Sequence, residues 1–124
     1  MLVLVVDDSE VMRINMASTL RGQGWRVQEA CSGQDAVEKY LAARPDIVTM
    51  DISMPGLDGL EALRRIKEID PGAKIIVVSA WAHKDNLMQA IKLGACDFLA
   101  KPFTGERMIQ AIKRVAGPKA EIKN

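Results

Sequence analysis

The segment Leu2-Val3-Leu4-Val5-Val6-Asp7-Asp8 is an uninterrupted apolar run that stops at two adjacent acids. The pattern returns along the chain. Asp51 follows Asp46-Ile47-Val48-Thr49-Met50, Ser79 closes Lys74-Ile75-Ile76-Val77-Val78-Ser79, and Lys101 closes Cys96-Asp97-Phe98-Leu99-Ala100-Lys101 just before Pro102. Read as parallel strands, these runs place Asp7, Asp8, Asp51, Ser79 and Lys101 on the carboxyl edge of one sheet, where open α/β sheets bind their ligands. Three carboxylates, a hydroxyl and an ammonium gathered there describe a metal-dependent site for a phosphoryl group.

The segments between these runs carry helical spacing. A first helix is predicted over residues 9–23, with Ser9 as N-cap, Met12, Met16 and Leu20 four apart, and Gly22 and Gly24 at its end. Residues 25–30 alternate polar and apolar, which suits a strand near a sheet edge with one wet face. A second helix is expected over 33–43, with Ala36, Val37, Tyr40 and Leu41 on one face and Arg44-Pro45 as its stop. Ser53 to Gly59 is rich in turn residues. A third helix follows with Leu60, Leu63, Ile66 and Ile69 inward, and Asp70-Pro71-Gly72 turns the chain into strand four. Helix four is expected over 84–93 with Gly94 as its cap, and helix five over 104–115 with Thr104 as N-cap.

Five alternating βα units with short connections imply right-handed crossovers. The expected fold is therefore a doubly wound α/β domain, a five-stranded parallel sheet between two layers of helices. One domain over residues 1–117 is expected, followed by a short, frayed tail over 118–124. A dinucleotide-binding turn would need glycines after the first strand, where Asp7-Asp8 stands, and no Walker A loop is present.

Bulk composition agrees. The 124 residues suit one core, and 48% of them are hydrophobic. Seventeen basic and sixteen acidic side chains give a net charge of +1, which supports neither nonspecific nucleic-acid binding nor a membrane-surface role. The apolar stretch Met1 to Val6 is too short for a membrane span or a signal segment. A cytoplasmic location is expected. Cys31 and Cys96 are expected as small buried residues, and Met12, Met16, Met88 and Met108 as core filler.

Three carboxylates at one edge repel one another, so they must share protons or bind a cation. Hard oxygen ligands favour Mg²⁺, with Mn²⁺ as an alternative. Asp8 and Asp51 are the expected direct ligands, Asp7 acts directly or through water, and the backbone carbonyl of Ser53 can add an oxygen. A carboxylate in such a site can also act as a nucleophile and form an acyl phosphate. Lys101 and Ser79 would then answer the remaining phosphoryl oxygens. The Lys101-Pro102 bond is a candidate cis peptide that would aim the ammonium over the sheet edge.

Asp7-Asp8, Met50-Asp51, Met54-Pro55-Gly56-Leu57-Asp58-Gly59, Ser79-Ala80 and Lys101-Pro102-Phe103 together resemble the receiver domain of two-component response regulators, over about residues 2–116. The resemblance implies the strand order 2-1-3-4-5. It implies that Asp51 accepts a phosphoryl group from a histidine kinase in the presence of Mg²⁺, that small donors such as acetyl phosphate can substitute, and that the acyl phosphate hydrolyses slowly. It assigns Ser79 and Phe98 to the switch positions, which would reshape the surface of helix four, strand five and helix five. Trp81, two residues after Ser79, falls where the family tunes attack by water, and its bulk is expected to slow dephosphorylation. His83 is expected to be a surface residue.

Residues 47–55 and 71–80 are similar to single-domain CheY-type chemotaxis regulators. For that subtype the implied partners are a chemotaxis histidine kinase, a flagellar switch protein and a phosphatase. Other readings are a receiver of a sporulation relay, a receiver cut from a DNA-binding regulator, a Mg²⁺-dependent phosphatase with an Asp nucleophile, and a degenerate receiver acting as an interaction module. The phosphatase reading fits poorly, because its nucleophile normally follows strand one in an Asp-x-Asp pattern and its body is larger.

Overall fold

Continuous apolar runs become the middle of a sheet when both faces are covered, and an alternating run becomes its edge. The computed structural model, which describes residues 1–53, 59–80 and 84–121, shows this division. The elements are β1 (Leu2–Val6), α1 (Glu10–Arg21), β2 (Arg26–Ala30), α2 (Gly33–Ala43), β3 (Ile47–Asp51), α3 (Gly59–Ile69), β4 (Ile75–Ala80), α4 (Lys84–Lys92), β5 (Asp97–Lys101) and α5 (Gly105–Ala116). All strands are parallel, in the order β2-β1-β3-β4-β5. Every residue of β1 and β3 is buried, whereas β2 at the edge buries only Ala30 fully.

Strand alternation splits the core in two. Leu4, Val6, Val48, Met50, Ile75 and Val77 face one side, where α2, α3 and α4 deliver Val37, Tyr40, Leu63, Ile66 and Leu87. Val3, Val5, Ile47, Ile76 and Val78 face the other, where α1 and α5 deliver Met16, Leu20, Met108 and Ile112. Ser9, Ser32 and Thr104 cap α1, α2 and α5, each accepting a hydrogen bond from the backbone N–H three residues on.

Several expectations need correction. Cys31 and Cys96 are free and exposed, because each sits just outside a strand end. Leu41, Ile69 and Met88 are exposed. Tyr40, one position before Leu41, takes the inward place and donates its hydroxyl to Asp70 at 2.7 Å. Asp46 and Lys74 lie just outside strands three and four. Asp46 caps the amino edge instead, accepting from the Leu2 N–H at 2.7 Å and pairing with Lys119 at 3.2 Å. Burial works against that carboxylate, but these partners outweigh it and hold its pKa below the usual value.

Residues 117–121 are not frayed. Gly117–Glu121 forms a turn of 3₁₀ helix, and Ala120 is buried against the core that holds Trp25. The Trp25 indole N–H donates to the Ala120 carbonyl at 2.9 Å. Trp25→Phe keeps the apolar ring but leaves that carbonyl without its donor. The expected loss is about 1–2 kcal/mol, read from the urea unfolding midpoint; an unchanged midpoint would mean the turn adds nothing to stability.

Candidate phosphoryl and metal site

The sheet register decides where the polar strand ends meet. Asp51 stands opposite Val78, Ser79 opposite Ala100, and Ala80 opposite Lys101, so the last rungs of three neighbouring strands carry the polar residues. Asp7 continues β1 by donating its N–H to the Ala30 carbonyl of β2 at 3.1 Å. One ligand oxygen from each of Asp7, Asp8 and Asp51 lies within 4.8 Å of the others. Asp7 and Asp51 are buried, and Asp8 faces solvent.

Each buried carboxylate is held by a backbone N–H two residues ahead. Asp7 Oδ1 accepts from Ser9 at 2.8 Å, and Asp51 Oδ1 accepts from Ser53 at 2.8 Å. The second oxygens turn toward Lys101, whose Nζ lies 3.4 Å from Asp51 Oδ2 and 3.6 Å from Asp7 Oδ2. At that distance Lys101 neutralises charge without satisfying Asp7 Oδ2, which is buried and has no hydrogen-bond donor among the described residues. Burial raises the pKa of Asp7. The Ser9 N–H and Lys101 oppose this, and the neighbouring Asp51 and Asp8 charges add to it. Among the described residues, the Lys101 ammonium thus reaches two of the three carboxylates, and one of those keeps an oxygen without a donor. A hard divalent cation fits that donor set. Asp7, Asp8 and Asp51 each offer one oxygen to such an ion.

Ser79 is fully buried, with its hydroxyl 3.5 Å from that of Ser53. Val77 and Ser79 of β4 share a sheet face with their rung partners Phe98 and Ala100 of β5. Phe98 is half-buried and packs against the core that α2, α3 and α4 cover. Lys101-Pro102 is cis, as the sequence suggested. Trp81, His83 and residues 54–58 lie outside the described residues.

The chain matches the response regulator receiver domain over residues 3–113. It belongs to that family. The receiver is 46% identical to the chemotaxis protein CheY of Thermotoga maritima, over 92% of this chain and 96% of the relative. It is 45% identical to the CheY of Bacillus subtilis, over 90% and 94%. A solved receiver domain protein from Clostridium thermocellum superposes with a TM-score of 0.90 at 31% identity, covering 95% of each chain. The receiver is accordingly a signalling phosphoacceptor of the two-component type, and the phosphatase reading falls away.

Two contributors were not evident from the sequence. Arg13 donates to the Asp7 carbonyl at 2.8 Å. Gly59, the last residue of the Met54–Gly59 motif, starts α3 against the end of β3. A Cβ there would stand 2.2 Å from the Asp51 carbonyl oxygen and 2.5 Å from the Ile52 Cα. A glycine soon after a strand-end acid hints at close approach, but only the packing shows which backbone it meets.

Gly59→Ala must push α3 away from Asp51. It is expected to cost about 3 kcal/mol in chemical denaturation; a loss within error would mean that α3 shifts freely. Asp7→Asn is expected to raise the melting temperature of the metal-free receiver at pH 7 by a few degrees. Folded Asp7 binds its proton more tightly than unfolded Asp7, so ionised Asp7 opposes folding above its unfolded pKa of about 4. The gain should be full above the folded-state pKa and vanish as pH falls below about 4. Melts with chelator across that range check both sign and window.

Proposed function

We propose that Asp51 is the phosphoacceptor, that Asp7, Asp8, Asp51 and the Ser53 carbonyl hold Mg²⁺ or Mn²⁺, and that Ser79, Lys101 and Phe98 convert phosphorylation into a change of surface. The observation that carries this reading is the Lys101 ammonium lying 3.4 Å from Asp51 Oδ2 within the three-carboxylate cluster. Bound there, the cation supplies charge neutralisation at the phosphoryl oxygens.

The Ser53 N–H holds Asp51 Oδ1 and so orients the carboxylate for in-line attack. A carboxylate oxygen bonds to phosphorus as the P–N bond of a phosphohistidine breaks, and the electron pair leaves on the imidazole nitrogen. Lys101 then pairs with one phosphoryl oxygen, and Ser79 donates its hydroxyl to another. At 3.5 Å the Ser79–Ser53 contact is weak enough to exchange. Phe98 lies diagonally across the same sheet face from Ser79, so inward movement of the hydroxyl changes the space available to the ring and to α4. A phosphoryl group of nearly two negative charges is thereby read out as packing.

The CheY relatives support a place in chemotaxis. The phosphoryl donor is then a chemotaxis histidine kinase in the cytoplasm, and the partners are a flagellar switch protein and a phosphatase. Acetyl phosphate substitutes for the kinase, and water slowly removes the phosphoryl group, with Trp81 tuning that step.

Incubation with acetyl phosphate and Mg²⁺ should give one labile phosphoryl adduct by intact mass. The adduct should be absent with chelator and absent in Asp51→Asn. An adduct that persists in Asp51→Asn would overturn the assignment of the acceptor.

A further inference from the structure

Asp8 is the exposed member of the acidic cluster, and no hydrogen bond to its carboxylate is found among the described residues. The place from which it reaches the cluster is therefore set by the backbone that carries its Cβ. The peptide joining Asp7 to Asp8 begins at the Asp7 carbonyl, and Arg13 Nη1 donates to that oxygen at 2.8 Å. Arg13 is held in turn, its Nε donating to Glu29 Oε1 at 3.2 Å. Glu29 lies on β2, paired with Val5, and is also braced by Arg21 at 3.7 Å. The Arg13 side chain is only 16% exposed, so the guanidinium is clamped between α1, β1 and β2. A planar fork with two fixed acceptors suits this bridge better than an ammonium does.

We infer that Arg13, locked by Glu29, is a positioning residue that fixes the Asp7–Asp8 peptide plane and so presents the Asp8 carboxylate to the cation. The inference rests on the proposed metal site and adds to it a side chain that does not touch the cation. Its signature is a sign. Arg13 is a cation beside an acidic site, so if it acted by charge alone its removal would tighten binding of Mg²⁺. If it positions Asp8, its removal weakens binding. Partners that orient metal ligands typically carry at least a tenfold share of affinity.

The test is Mg²⁺ titration by calorimetry, with acetyl phosphate phosphorylation followed against Mg²⁺ concentration, on the full chain well below its melting temperature. Arg13→Gln is expected to raise the Mg²⁺ dissociation constant about tenfold. The Mg²⁺ concentration for half-maximal rate should rise in parallel, with little change in the limiting rate. Arg13→Lys keeps the charge but reaches one acceptor at a time, and should show a smaller loss of affinity. Unchanged or tighter Mg²⁺ binding in Arg13→Gln would overturn the role of Arg13 alone. Loss of stability without loss of affinity would do the same, since a merely structural bridge predicts that result. Failure of the unmodified receiver to bind Mg²⁺ would overturn the metal site itself, and the inference with it.

Discussion

The mutual repulsion of Asp7, Asp8 and Asp51 is the constraint around which the carboxyl edge is organised. Left to themselves, three carboxylates this close would move apart or share protons. They are kept together because Asp51 ends β3 and Asp7 directly follows β1, adjacent and fully buried strands whose ladders run up to that point. The folded state therefore stores unfavourable electrostatics at one edge and offsets them with apolar burial on both faces of the sheet. Lys101 from the far strand relieves the repulsion only in part, and Asp7 retains a buried oxygen with no donor among the described residues. That residual imbalance leaves a donor set suited to a hard cation.

The scaffold reads as a set of restraints on this cluster. Backbone N–H groups at Ser9 and Ser53 hold one oxygen of each buried acid and leave the other turned toward Lys101. Gly59 lets α3 begin directly against the Asp51 backbone. Arg13 ties the Asp7 carbonyl to β2 through Glu29. These supports come from the β1–α1 connection, from helix α1 itself and from the passage between β3 and α3. On the neighbouring strands, Val77, Ser79, Phe98 and Ala100 share one face of the sheet, on the side that α2, α3 and α4 cover. The opposite edge is closed quietly by Asp46, Lys119 and the Trp25–Ala120 hydrogen bond, away from the chemistry.

The sequence by itself determined the alternation of strands and helices, because strand runs such as Val3–Val6 and Ile75–Val78 and the caps Ser9 and Thr104 are local signals. It also determined which residues gather at the site, since in a parallel sheet every strand ends on the same side. Side-chain burial at element margins escaped it. Leu41, Ile69, Met88, Cys31 and Cys96 lie at the boundary between core and solvent, where exposure depends on how neighbouring elements abut. The docked 3₁₀ turn was also illegible, because Gly117-Pro118 signals a break while the Trp25–Ala120 bond spans 95 residues. Only the tertiary structure decided the supports of the acidic cluster. Arg13 looks ordinary in sequence and Gly59 reads as part of a turn motif, and both act through contacts with backbone atoms, which have no side-chain identity to read.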